Sequence, residues 1–114
     1  MSKRDYKIYL DDIILSSSKI QEYIKGISFD GFVKNGQLVD AVIRNIEIVG
    51  EAAKNLPNSL KNKHKSIPWK EIVSTRNRVT HEYFGVNLKI IWKAVKLEIP
   101  RLKREVQKIL RVED

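Results

Sequence analysis

Eight consecutive residues, Arg76-Asn77-Arg78-Val79-Thr80-His81-Glu82-Tyr83, gather two arginines, an amide, one of the chain's two histidines and a tyrosine. Residues of these types can break an RNA phosphodiester without a metal. Attack of a 2′-hydroxyl on the adjacent phosphorus needs a base for that proton, positive charge for the phosphorane oxygens and a proton for the departing 5′-oxygen. Imidazole exchanges protons near neutral pH and contributes roughly 10²–10⁴-fold as a general acid or base. A guanidinium stays charged and grips phosphate oxygens as a bidentate fork, and a donor of this kind is worth about 3–4 kcal/mol in a transition state. DNA lacks the 2′-hydroxyl, so the route selects RNA. On this reading Arg76 and His81 are the catalytic candidates, and Asn77 is placed to orient His81 or to donate to phosphate.

Position sharpens the reading. At about 100° per residue from Trp69, residues Ile72, Val73, Arg76, Val79, Thr80 and Tyr83 share one apolar sector, with Arg76 near its centre. Solvation alone would not put a charge there. His81 is five residues beyond Arg76, about 140° around an unbroken helix. The two converge on one phosphate only if the helix ends or distorts between them, or if two chains contribute. The β-branched Val79-Thr80 pair and the approaching Gly85 favour a distortion. Blander roles stand beside these: Arg76 paired with Glu47 or Glu51, His81 as a surface or capping histidine, Tyr83 as core with its hydroxyl at the rim.

The elements that must hold this stretch are helical. Tyr6, Leu10, Ile13, Ser17, Ile20, Ile24 and Ile27 recur at steps of three and four, and Gly26 with Ser28-Phe29-Asp30-Gly31 punctuates their end. A second helix spans about 37–56, with Val39, Val42, Ile43, Ile46, Val49, Ala53 and Leu56 on one face and Pro57-Asn58-Ser59 stopping it. A basic loop, residues 61–66, leads to a third helix that Pro68 opens. Asn87 caps a last helix running to about Arg111, with Leu88, Ile91, Val95, Ile99, Leu102, Val106 and Ile109 in its stripe and a kink expected at Pro100. No strand alternation is evident. The pattern predicts an all-α, antiparallel bundle of four main helices in a single domain, residues 1–114, with leftover apolar surface suited to dimerisation.

Charge narrows the class of partner. The net +8 lies wholly in the second half: residues 1–56 hold 8 Lys and Arg against 8 Asp and Glu, residues 57–114 hold 14 against 6. Such asymmetry suits nucleic acid or another acidic partner. Arg78, Lys61, Lys63 and Lys65 are the candidate contacts to an RNA backbone. No run approaches the roughly 20 apolar residues that span a bilayer, and the polar start, Met1 to Tyr6, lacks a signal-peptide core. With no cysteine and no metal-ligand spacing for His64 and His81, neither a metal nor a cofactor is expected, and the chain fits the cytoplasm.

The stretch resembles the R-N-x-x-x-H-x-Y signature of HepT-type HEPN-domain toxins in Arg76, Asn77, His81 and Tyr83. Residues 44–53, Arg-Asn-Ile-Glu-Ile-Val-Gly-Glu-Ala-Ala, are similar to that family's second-helix block, and Ile67-Pro68-Trp69 and Val86 also match. The resemblance implies a HEPN-like bundle, a homodimer with its cleft at the interface, and metal-independent endoribonuclease activity in a type II/VII-like toxin–antitoxin pair. It implies that Arg76 and His81 form the catalytic pair, supported by Asn77, and that an MNT-type nucleotidyltransferase antitoxin silences the toxin by adding AMP to Tyr83. Asn87 stands where the family commonly has aspartate; either caps a helix. The alternative is a non-catalytic helical module that binds nucleic acid or the nucleotidyltransferase.

Overall fold

Each long helix forms where the apolar spacing places it, and several helix starts are capped by side chains. The computed structural model describes residues 3–81 and 87–113, so Tyr83, Gly85 and Val86 lie outside the described residues. Along the chain these are α1 (Lys3–Ile24), α2 (Phe29–Lys34), α3 (Gly36–Asn55), α4 (Asn58–Lys63), α5 (Trp69–His81), α6 (Leu88–Lys93), a π-helical turn (Ala94–Glu98) and α7 (Ile99–Glu113). Among the described residues there is no strand.

α1 ends at Gly26, whose φ of 74° is a left-handed conformation that a side chain would strain. Ser28 then caps α2, its Oγ accepting from the Gly31 amide at 3.1 Å, and Asn35 caps α3 through Oδ1 and the Leu38 amide at 3.1 Å. Asn87 caps α6 as its sequence position predicts, accepting from the Lys89 amide at 2.8 Å. α3 packs between α1 and α5, and α1 also meets α7. The core runs through Leu10, Ile13, Ile20, Val42, Ile46, Val49, Val95, Leu102 and Val106, which are the stripe residues of α1, α3 and the last helix. This is the expected all-α bundle.

Two expectations are corrected. The Ser28–Gly31 segment is the start of α2, which plants Phe32, fully buried, against Trp92 at a centroid distance of 5.1 Å. The basic loop is partly helical: Pro57 stops α3 but opens α4, which takes up Lys61 and Lys63, so Asn58-Ser59 starts a helix instead of ending one. At Pro100 the helix does not stop, as expected, and a π-helical turn lies just upstream. Proline has no N–H for the carbonyl four residues back and its ring crowds that carbonyl. The wider turn over Ala94–Glu98 carries the helix into α7 without a stop.

Candidate active site

Arg76 sits on α5 where that helix comes closest to α3. Gly50 makes the approach possible: a Cβ built there would overlap the Cβ and Cγ of Arg76. On the buried face of α5, Trp69, Ile72 and Val79 lie in the core, while Val73 and Arg76 are half-buried. The apolar sector is therefore narrower than its sequence suggests, since Thr80 is exposed. Arg76 remains at its centre, as the angular argument requires.

The guanidinium is anchored on two sides. Nη2 donates to Glu51 Oε2 at 2.7 Å and Nη1 to Asn77 Oδ1 at 2.8 Å. Its Nε is buried with no acceptor among the described residues. The side chain is 20% exposed against 50% for Glu51, so the cation is the sheltered member of the pair and the carboxylate the movable one. A fork held this way keeps its position, while an arriving phosphate can compete with the exposed Glu51 for it. Glu51 and Arg76, with Tyr9, Asp12, Arg44 and Glu47, line an open groove of about 360 Å³ between α1 and α3.

His81 is the last described residue of α5 and is exposed. The helix runs from Trp69 to His81 without a break, so the distortion between Arg76 and His81 that the sequence left open is absent. The two sites on the helix are about 7.5 Å apart along its axis and about 140° apart around it. Within one chain the structure brings Arg76 and Asn77 together and leaves His81 on another side. The Asn77 amide oxygen accepts from Arg76.

One residue ahead of Arg76, Thr75 donates to Glu98 Oε1 at 3.5 Å, across to the π-helical turn. Burial raises the Glu98 carboxyl above its ordinary value; the like charge of Glu71 adds to the rise, while the Thr75 hydrogen bond and Lys93 oppose it.

The lysine candidates separate. Lys61 and Lys65 line a second groove of about 590 Å³, together with Lys54 and Lys70, which sequence reasoning missed; Lys63 and Arg78 are exposed but do not line it. Lys54 and Lys70 lie just outside the basic run, at the end of α3 and the start of α5, and join it at this groove. Among the described residues no three carboxylates and histidines cluster in a way that would hold a metal ion.

Comparison with known proteins places the chain. The family described as "HepT-like: Ribonuclease HepT-like" matches residues 13–109. The chain belongs to this HepT-like family. It is 48% identical over 105 residues to "Putative RNase TTE0752" of Caldanaerobacter subterraneus, a match covering 92% of this chain and 94% of that protein. It is 43% identical over 107 residues to "Probable ribonuclease HepT" of Thermococcus cleftensis, covering 94% and 97% respectively. To "Putative RNase MJ1380" of Methanocaldococcus jannaschii it is 42% identical over 107 residues, covering 94% and 98%. No solved structure gives a significant match. The family fits the resemblance read from residues 76–83, and α3 carries the second matching block on the face that meets Arg76.

Proposed function

We propose that this HepT-like chain is a metal-independent endoribonuclease, the toxin of a toxin–antitoxin pair, acting as a homodimer whose cleft joins two copies of residues 76–83. The observation that carries this reading is the sheltered, doubly anchored Arg76 on an unbroken helix that turns His81 away from it. A second copy facing the first supplies what one chain lacks: His81 of one protomer beside Arg76 of its partner.

In that cleft Arg76 holds the non-bridging oxygens of the scissile phosphate. One His81 takes the 2′-hydroxyl proton as the 2′-oxygen bonds to phosphorus. The bond from phosphorus to the 5′-oxygen breaks, and the same His81, now protonated, gives its proton to the departing oxygen. The products are a 2′,3′-cyclic phosphate and a 5′-hydroxyl. Asn77 fixes the fork of Arg76.

Tyr83 is the off-switch in this reading. An MNT-type nucleotidyltransferase antitoxin transfers AMP from ATP to its hydroxyl, releasing pyrophosphate. The added phosphodiester brings negative charge and bulk that compete with RNA for the cation.

The test is RNA cleavage in EDTA. Wild-type protein cuts and leaves cyclic-phosphate ends; Arg76→Ala and His81→Ala each lose at least about 10²-fold of the rate while keeping the dimer. Cleavage retained by both variants sinks the mechanism, and RNA binding without cleavage by the wild type leaves only a binding module. For the switch, Tyr83→Phe co-expressed with the antitoxin stays active and gains no AMP by intact mass; a variant still modified moves the target elsewhere.

A further inference from the structure

The groove of about 590 Å³ lies not at Arg76 but beside it, where the end of α3, α4 and the first turns of α5 meet. Its floor is apolar, from Ile67, Pro68 and Trp69, and its walls carry Lys54, Lys61, Lys65 and Lys70 against one acid, Glu71. The loop beneath is built and held: the Trp69 indole donates to the His64 carbonyl at 3.1 Å, and Arg101 reaches from α7 to the Ser66 carbonyl at 3.2 Å. Lys61 donates to the Ala53 carbonyl at 3.4 Å, at the end of α3. Lys54, Lys65 and Lys70 are exposed and have no hydrogen-bond or ion-pair partner among the described residues. Three uncompensated ammonium groups around one apolar floor repel one another and attract a polyanion.

The groove adjoins the candidate active site on both walls. On α5 its lining residue Val73 lies three residues before Arg76, and on α3 its lining residue Lys54 lies three residues after Glu51. Three residues of helix are about 4.5 Å. A strand whose phosphate sits on Arg76 meets this groove with its neighbouring nucleotides.

We infer that this groove binds single-stranded RNA flanking the scissile phosphate, with the lysines contacting successive phosphates and the sugar and base faces resting on the apolar floor. The inference rests on the proposed cleavage for its choice of RNA over an acidic protein. The contacts are point charges on flexible stems, which suits backbone tracking and gives no base readout. The groove therefore sets affinity and the direction in which the strand leaves Arg76, and not the sequence cut.

The test uses the full chain with a fluorescently labelled single-stranded DNA, which cannot be cleaved by the 2′-hydroxyl route, followed by anisotropy across a salt series. The triple variant Lys54→Gln/Lys65→Gln/Lys70→Gln removes exposed charges only and keeps Lys61, which braces the end of α3. Its binding is expected to weaken about tenfold or more at low salt. Its log-affinity against log-salt slope becomes shallower by about 2, at roughly 0.7 per phosphate contact for a single strand. Lys19→Gln, which removes an exposed charge of α1 outside the groove, binds as wild type does. If the triple variant binds with unchanged affinity and slope, the groove assignment falls, whether or not the wild type cleaves RNA. If the triple variant loses DNA binding but the wild type never cleaves RNA, the groove stands and the proposed activity falls. If the triple variant keeps nucleic-acid binding and loses only the antitoxin, the groove is a protein-docking surface and the inference is overturned.

Discussion

A charged side chain half-buried in an apolar stripe must have a partner within reach, and Arg76 has Glu51 and Asn77. An ion pair this close to solvent adds little stability, about 0–1 kcal/mol. Its consequence is geometric: the guanidinium is fixed with one face open. Glu98 is the contrasting charge. Burial against α5 raises its pKa, so the folded state disfavours its ionised form. Stability from this group is greatest at low pH, where it is protonated in both states, and is lost as pH rises through the raised folded value. Glu98→Gln is therefore expected to raise the thermal midpoint at neutral pH, and the gain shrinks as pH falls into the ordinary carboxylate range. Melting curves over that range check it; a variant less stable at neutral pH would show that the charged form is favoured in the fold.

At the scale of elements, the seam between α3 and α5 decides whether Arg76 is held at all. Gly50→Ala should gain about 1 kcal/mol from helix propensity alone if nothing lay opposite. Here the new Cβ meets the Cβ and Cγ of Arg76, and overpacking of this kind costs about 1–3 kcal/mol. The net expectation is a loss in urea unfolding together with reduced cleavage, because α5 must shift and carry Arg76 away from Glu51. A stabilised variant with full activity would contradict the close approach. The seam explains what was legible in the sequence. The stripes of α1, α3 and the last helix repeat every three or four residues, so Val42, Ile46, Leu102 and Val106 declare themselves locally. Gly50 does not, because its role depends on a residue 26 positions later in the chain. The short helix α2 was hidden because its one anchor, Phe32, is buried by Trp92 from the far end of the sequence. Pro100 announced a disturbed helix, but not that a wider turn would absorb it.

At the scale of the whole molecule, the bundle measures 43 × 28 × 21 Å, and its net positive charge comes from the half of the sequence that forms α4 to α7. Among the described residues no helix is long and apolar enough to cross a membrane. Family, charge and the lysine groove agree on an anionic polymer as the ligand. Residue spacing singled out Arg76 and His81 as candidates, and the continuity of α5 puts them on different sides of one helix. In the proposed mechanism two chains are then required for one reaction centre, and that is the central claim. The direct measurement is subunit complementation, in which Arg76→Ala and His81→Ala chains are co-expressed with different tags, purified as the mixed dimer and assayed for RNA cleavage in EDTA. The predicted result is that each parent variant is inactive while the mixed dimer recovers cleavage, since it contains one intact Arg76 facing one intact His81 across the interface. A mixed dimer as inactive as its parents, or either parent active alone, would contradict the account.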